Sequence, residues 1–191
     1  MSKSVQHYIT LYKDTFSKEK CQNLIDKFEK NTKFHEVKKI NAKDGWHMSF
    51  TQVHLSKHKE FEDENKELKK LFLEAIRLYK KEHNIQEYQW PKEFQLEPLR
   101  IKRYIPNSNE KFDEHVEITN LETAKRFMVA FLYLNDDFEG GETDFPQFQV
   151  MIKPERGNMV LFPAGWNWLH KGNSVRGNSP KYIVGMLLHY V

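Results

Sequence analysis

The chain has 191 residues, 39% hydrophobic and 14% aromatic, which suits one domain with a core of its own. Charged residues make up 30%, yet the net charge is only +3 and lysines alternate with glutamates, which argues against a nucleic-acid partner. The single cysteine, Cys21, excludes an intrachain disulfide and a thiolate-rich zinc site.

The N-terminal stretch, Met1 to His7, lacks the apolar run of a signal peptide, and no segment reaches the ~18 apolar residues of a membrane span. The expectation is a cytoplasmic protein with no membrane contact. After Ser17, a fitting cap, Cys21, Leu24, Ile25 and Phe28 fall at i, i+3, i+4 and i+7 and predict an amphipathic helix. Cys21 lies on its inner face as a small core residue. Three histidines, His47, His54 and His58, follow with irregular spacing, which argues against a second metal site. Residues 44–59 read as a lid or substrate-recognition loop. A second helix is predicted over 60–83, with Leu68, Leu71, Phe72, Ala75, Ile76 and Tyr79 on one face and lysines and glutamates on the other. Both helices have the pattern of supports laid on something flat.

From about Gln95 the pattern changes to short strands over 96–104, 126–134, 149–152, 158–162 and 181–191. They are separated by breakers such as Pro106-Asn107, Glu139-Gly140-Gly141, Pro154 to Gly157 and Gly172-Asn173. Helices first and many strands after predict a mainly β fold with flanking α elements, a helix-buttressed antiparallel barrel or jelly roll. No repeat or linker divides the chain, so 1–191 reads as one domain.

The chemistry lies in the second half. His115 and Glu117 are two apart, so in an extended segment both side chains leave one face and could supply two adjacent ligands to a metal. His170 would complete the set from a distant strand. Two imidazoles and a carboxylate suit Fe(II) and leave positions open for a co-substrate and O₂. Asp113 is a competing carboxylate two residues before His115, and spacing does not choose between it and Glu117.

Around these residues run Arg103-Tyr104, Phe112 to Glu117, Arg126, and Leu132-Tyr133-Leu134-Asn135-Asp136. Then come Phe138-Glu139-Gly140-Gly141-Glu142-Thr143-Asp144-Phe145-Pro146, Pro154, Gly157 and Leu161-Phe162-Pro163. The series closes with His170-Lys171-Gly172-Asn173 and Lys181-Tyr182. In this order, over roughly 96–191, they resemble the 2-oxoglutarate- and Fe(II)-dependent oxygenases of the prolyl 4-hydroxylase type. The resemblance implies a double-stranded β-helix (jelly roll), with 96–191 as catalytic core and 1–95 as mostly helical support.

It also implies Fe(II), 2-oxoglutarate and O₂ as cofactors, with ascorbate as a further one. The implied iron ligands are His115, Glu117 and His170. Lys181 stands where the family places the cation for the distal carboxylate of 2-oxoglutarate, a role that suits a point charge. Tyr104 and Thr143 match positions whose hydroxyls help hold the co-substrate, and Tyr133 is a further candidate. Two departures stand out. The family's usual second ligand is aspartate, and the extra methylene of Glu117 adds roughly 1.5 Å of reach, so its backbone must sit back or the side chain fold. The step from His170 to Lys181 is one residue longer than usual. A bulge near Gly177 to Pro180 would absorb it, whereas without one Lys181 would point away from the site.

Among other residues, Trp166 and Trp168 could line a cavity mouth or serve as core and rim aromatics. Arg126 could face the site or form a structural salt bridge, and His189 shares strand parity with Lys181. The expected activity is hydroxylation of an unactivated C–H bond in a proline-containing peptide or protein. The alternatives are another substrate, such as a free amino acid or a nucleobase, or a jelly-roll binding module impaired in catalysis by Glu117.

Overall fold

A computed structural model describes residues 5–191, with side chains from residue 7 onward; Met1 to Ser4 of the N-terminal stretch lie outside the described residues. In chain order the elements are β1 (Thr10–Tyr12), α1 (Lys18–Lys30), β2 (Glu36–Asn41), β3 (His47–His54) and α2 (Glu62–Glu82). There follow β4 (Phe94–Leu96), β5 (Arg100–Tyr104), β6 (Phe112–His115), β7 (Arg126–Tyr133), β8 (Glu139–Gly140) and β9 (Thr143–Phe145). The last are β10 (Val150–Ile152), β11 (Met159–Pro163), β12 (His170–Gly172), β13 (Val175–Arg176) and β14 (Lys181–Tyr190). No described helix is long and apolar enough to cross a membrane.

The strands pair in the order β1-β11-β7-β14-β5-β3-β6-β12-β9-β10, with β2 beside β3, β4 beside β14, and a separate β8–β13 pair. Every pairing is antiparallel, and β3 joins β6 through one residue pair, Met48 with Phe112, where the sheet folds over on itself. This is a curled antiparallel jelly roll, as the run of short strands predicts.

Strand parity divides the structure into two cores. On β7, Met128, Ala130 and Leu132 face α1 and α2, where they meet Cys21, Phe28, Leu68, Phe72 and Tyr79. Val129, Phe131 and Tyr133, one residue out of step, face the inside of the curl with Phe145, Phe162 and Trp168. The same alternation on β14 sends Tyr182, Val184, Met186 and Leu188 toward the helices. Ser17 caps α1 by accepting a hydrogen bond from the Lys20 backbone N–H at 3.2 Å, as expected. Salt bridges from Lys20 to Glu67 and Lys27 to Glu64 tie α1 to α2.

Three expectations are corrected. The strand expected over 96–104 is two strands, because Pro98 has no N–H for the ladder and the chain steps from β4 to β5 across Glu97 to Leu99. Residues 1–95 are not only helical support. β2 and β3 form a hairpin that extends the main sheet through Thr51 paired with Arg103 and Val53 with Ile101. The stretch 44–59 is therefore largely a strand and a short connection to α2 rather than a loop. Its inward positions hold Met48 and Gln52 beside Phe50, so the apolar alternation that marks a strand is diluted. The third concerns Asp113 and is described with the site.

Candidate metal centre and its cavity

The inside of the curl holds a cavity of about 280 Å³, lined by residues of β3, β5, β6, β7, β12 and β14. His115, Glu117 and His170 lie together on its wall, with one ligand atom from each all within 4.8 Å of one another. β6 and β12 bring them there: His115 and His170 are direct cross-strand partners. His115 is the last residue of β6, and Glu117 sits in the bend beyond it. Its backbone has left the strand, which gives the longer glutamate side chain room to turn back. Glu117 Oε1 is 3.5 Å from His115 Nε2 and 3.6 Å from His170 Nε2.

Asp113 is excluded by a register shift. Phe112 pairs with Gly172 and His115 with His170, so two residues of β6, Asp113 and Glu114, oppose Lys171 alone. The extra residue reverses parity. Phe112 and His115 therefore share a side, with their rings stacked at 3.6 Å, while Asp113 turns out to meet Lys111 Nζ at 2.6 Å and the His47 backbone N–H at 2.8 Å.

The three groups suit a metal. His115 Nδ1 lies 2.8 Å from the Asp113 carbonyl and His170 Nδ1 lies 2.9 Å from the Trp168 carbonyl. A carbonyl only accepts, so both Nδ1 atoms carry a proton and both Nε2 atoms are left facing Glu117. Burial pushes the His115 pKa down, which favours its neutral, ligating form. Burial opposes ionisation of Glu117, but hydrogen bonding and charge from protons shared with His115 and His170 outweigh it and hold its carboxyl well below the usual range. A metal at the Nε2 atoms would replace those protons and meet two neutral nitrogens and one carboxylate. Arg126 steadies the bend by donating to the Glu117 carbonyl at 3.1 Å, with Nη1 3.6 Å from its Oε2. Glu97 in turn fixes Arg126 at 2.6 Å and Arg100 at 3.1 Å. Arg126 is thus both a site neighbour and a salt-bridge residue. Glu97, 29 residues away in sequence, carries no local signal.

Glu117→Asp, which restores the commoner residue type, is expected to weaken metal binding by about tenfold or more, because a carboxylate set back in the bend loses roughly 1.5 Å of reach. Titration with Mn(II) followed by electron paramagnetic resonance measures it. Affinity equal to or better than wild type would show that the bend follows the shorter side chain.

The segment from Gly177 to Pro180 leaves the ladder between β13 and β14, with Gly177 at φ +94°. The long step is absorbed there, and Lys181 points inward, 4% exposed, as the partner of Tyr104. Its Nζ donates to the Gly141 carbonyl at 2.6 Å and lies 5.5 Å from the ring centres of both Tyr104 and Tyr133. Gly141 has φ +68°, and a Cβ there would lie 2.8 Å from Phe138 and 3.1 Å from the Lys181 side chain. The Gly-Gly pair therefore permits both the turn and the approach of Lys181. Burial pulls the Lys181 pKa down to about 7, although Glu142 works against it.

Tyr104 and Thr143 line the cavity. Tyr133 is fully buried behind it, and its hydroxyl lies 2.8 Å from Thr143 Oγ1, so it supports Thr143 rather than facing the open space. Trp168 is core, while Trp166 is 84% exposed. His189 lies beyond a register shift after Leu188 and meets Gln95 at 3.4 Å, outside the cavity. His47, His54 and His58 make separate contacts, with Asn41, Gln52 and Phe34 respectively. Sequence reading missed the cavity residues Arg100, Lys102, Met48, Phe50 and Gln52.

A jelly roll holding two histidines and a carboxylate against a buried cation has the architecture of a non-haem iron oxygenase. Residues 99–189 match the family model of the 2OG-Fe(II) oxygenase superfamily. An alignment 74 positions long, covering 35% of this chain, is 30% identical to an Acanthamoeba polyphaga mimivirus protein named "Putative prolyl 4-hydroxylase", and it spans 31% of that protein. Among solved structures, the fold is similar to the viral collagen prolyl hydroxylase of Paramecium bursaria Chlorella virus-1, with TM-score 0.67, 20% identity and 96% of both chains covered. It is also similar to a prolyl-4-hydroxylase of Pseudomonas putida, with TM-score 0.64, 13% identity and 96% and 93% covered. A third is the Trichoplax adhaerens prolyl hydroxylase in complex with a hypoxia-inducible-factor peptide, with TM-score 0.69, 11% identity and 95% and 83% covered. Residues 99–189 thus carry the domain that the 2OG-Fe(II) oxygenase superfamily model describes, on the fold seen in the solved prolyl hydroxylases.

Proposed function

We propose that the protein is an Fe(II)- and 2-oxoglutarate-dependent dioxygenase that hydroxylates an unactivated C–H bond, with a prolyl residue of a peptide or protein as substrate. The observation that carries this reading is the meeting of His115, Glu117 and His170 in one cavity with the buried ammonium of Lys181. His115 Nε2, His170 Nε2 and the Glu117 carboxylate would hold the iron. Iron bound there supplies the coupling of oxidative 2-oxoglutarate decarboxylation to transfer of one oxygen atom into succinate and one into the substrate.

The chain's own residues bind, orient and exclude water. Lys181, positioned by the Gly141 carbonyl, pairs with the distal carboxylate of 2-oxoglutarate, and the hydroxyls of Tyr104 and Thr143 are within the same wall. Phe131 and Ile183 make much of the remaining lining apolar and disfavour water near the reacting centre. The prolyl substrate is supported by the similarity to the viral, bacterial and animal prolyl hydroxylases. The alternative, a binding module impaired in catalysis by Glu117, is less well supported, because the Glu117 carboxylate reaches within 3.5 and 3.6 Å of the two imidazoles.

The test is mass spectrometry of a proline-containing peptide library incubated with Fe(II), 2-oxoglutarate and O₂, with and without ascorbate. A gain of one oxygen on proline, matched by succinate formation, is expected. Succinate without oxygenated proline would remove the prolyl substrate, and neither product would remove the enzyme reading.

A further inference from the structure

The cavity has a second cation that the oxygenase reading leaves unused. Tyr104, Lys102 and Arg100 alternate along β5 on its inward side, and Lys102 pairs across the sheet with Ile183. The Lys102 ammonium lies 4.6 Å from the ring centre of Phe50 and 5.7 Å from that of Phe112, the ring stacked on His115. Among the described residues no carboxylate lies within ion-pair distance of it. Gly185 lies across the strands, where a Cβ would be in ordinary contact with Lys102 Cε at 3.9 Å.

The neighbouring cations are already engaged. Arg100 and Arg126 share Glu97, Lys38 meets Glu36, and Lys171 meets Glu114 and Asp144. Among the described residues, Lys181 is buried and likewise lacks a carboxylate within ion-pair distance, and 2-oxoglutarate accounts for it. Fe(II) and 2-oxoglutarate carry opposite charges of equal size, so loading them leaves the excess at Lys102 unchanged. Burial, reinforced by Arg100, pulls the Lys102 pKa down to about 8, so the group is charged near neutrality and gains from an anion.

Building on the oxygenase reading, we propose that Lys102 is a substrate-specificity residue that receives a carboxylate of the primary substrate, next to the carbon presented to the metal centre. A carboxylate fits better than a phosphate, because one ammonium between two rings offers a single charge while both nearby guanidinium groups are held by Glu97. The carboxylate belongs either to an Asp or Glu side chain flanking the target residue or to the α-carboxylate of a free or C-terminal residue.

The experiment measures binding without turnover, to protein loaded with Mn(II) and 2-oxoglutarate under anaerobic conditions. The probes are proline peptides carrying Asp or Glu on either side, their Asn or Gln counterparts, C-terminal proline peptides as acids and amides, and free L-proline. Wild type is expected to prefer the acidic member of at least one pair by about tenfold or more. Lys102→Met abolishes that preference and Lys102→Arg retains part of it, with thermal unfolding checking that both fold. Which pair responds distinguishes a side-chain from an α-carboxylate source. Equal or absent binding of acidic and neutral probes by wild type overturns the proposal, as does a preference that survives Lys102→Met. A Lys102→Met protein that loses 2-oxoglutarate affinity instead would place Lys102 in the co-substrate site and also overturn it. Because binding is read without catalysis, a missing hydroxylated product in the library assay bears on the enzyme reading alone.

Discussion

His115→Ala is expected to abolish turnover by removing the metal. Loss of an outer partner of a metal ligand typically costs about 10- to 100-fold in affinity, so loss of a ligand itself should cost at least about 100-fold. Bound iron, measured by metal analysis after anaerobic loading and desalting, falls from near one equivalent to near none. Decarboxylation of 2-oxoglutarate without substrate falls with it. His170→Ala should do the same, but it also empties space beside Phe145 and Phe162, so its loss mixes metal binding with packing. His115 lies against Phe112 at the cavity wall and gives the cleaner measurement. If His115→Ala retained iron and full 2-oxoglutarate consumption, the triad would not be the metal site.

The second large effect is on the co-substrate. Lys181→Met is expected to weaken 2-oxoglutarate binding by roughly 10- to 100-fold, the equivalent of a charge-assisted hydrogen bond of about 1.5–3 kcal/mol. The variant removes a desolvated charge but also the donor to the Gly141 carbonyl, so thermal unfolding is measured alongside to separate binding from stability. The Lys181 pKa gives this interaction a pH dependence of known sign. Its free value is depressed to about 7, and only the ammonium pairs with a carboxylate. Below pH 7 the charge is already present. Above it, each 2-oxoglutarate bound must be accompanied by proton uptake, so affinity falls by up to about tenfold per pH unit. Lys181→Arg, whose guanidinium stays charged, should flatten that slope. Calorimetric titration of the Mn(II)-loaded protein between pH 6 and 9 reads both effects, and a wild-type affinity that rises with pH would contradict this role for Lys181.

The inward direction of Lys181 shows how far sequence reasoning reaches. Period-two alternation predicts its face only if the long step from His170 is absorbed, and the left-handed Gly177 turn absorbs it before β14 begins. For Asp113 the same rule misleads. Residues 113, 115 and 117 share parity in the sequence, but the register shift in β6 turns Asp113 away, while Glu117 in the bend beyond the strand stays with His115. No local pattern announces that shift, because it is fixed by which residues of β12 pair with β6. The hairpin of β2 and β3 was hidden for a related reason. Its inner face carries Gln52 among apolar residues, and its outer strand, Glu36 to Asn41, is an exposed edge rich in lysine rather than a hydrophobic run.

By itself the sequence determined the donor types and their spacing, the two helices, the alternating strands, and the glycine pair that lets Lys181 approach. Residue chemistry and local periodicity are properties of short stretches of chain. The tertiary structure alone decided which carboxylate joins the histidines, that Glu97 anchors Arg126 and Arg100, and that Lys102 stands unpaired beside the site. Those outcomes depend on strand register and on contacts between distant segments. A one-residue shift in pairing would send the same side chains to the opposite face of the sheet.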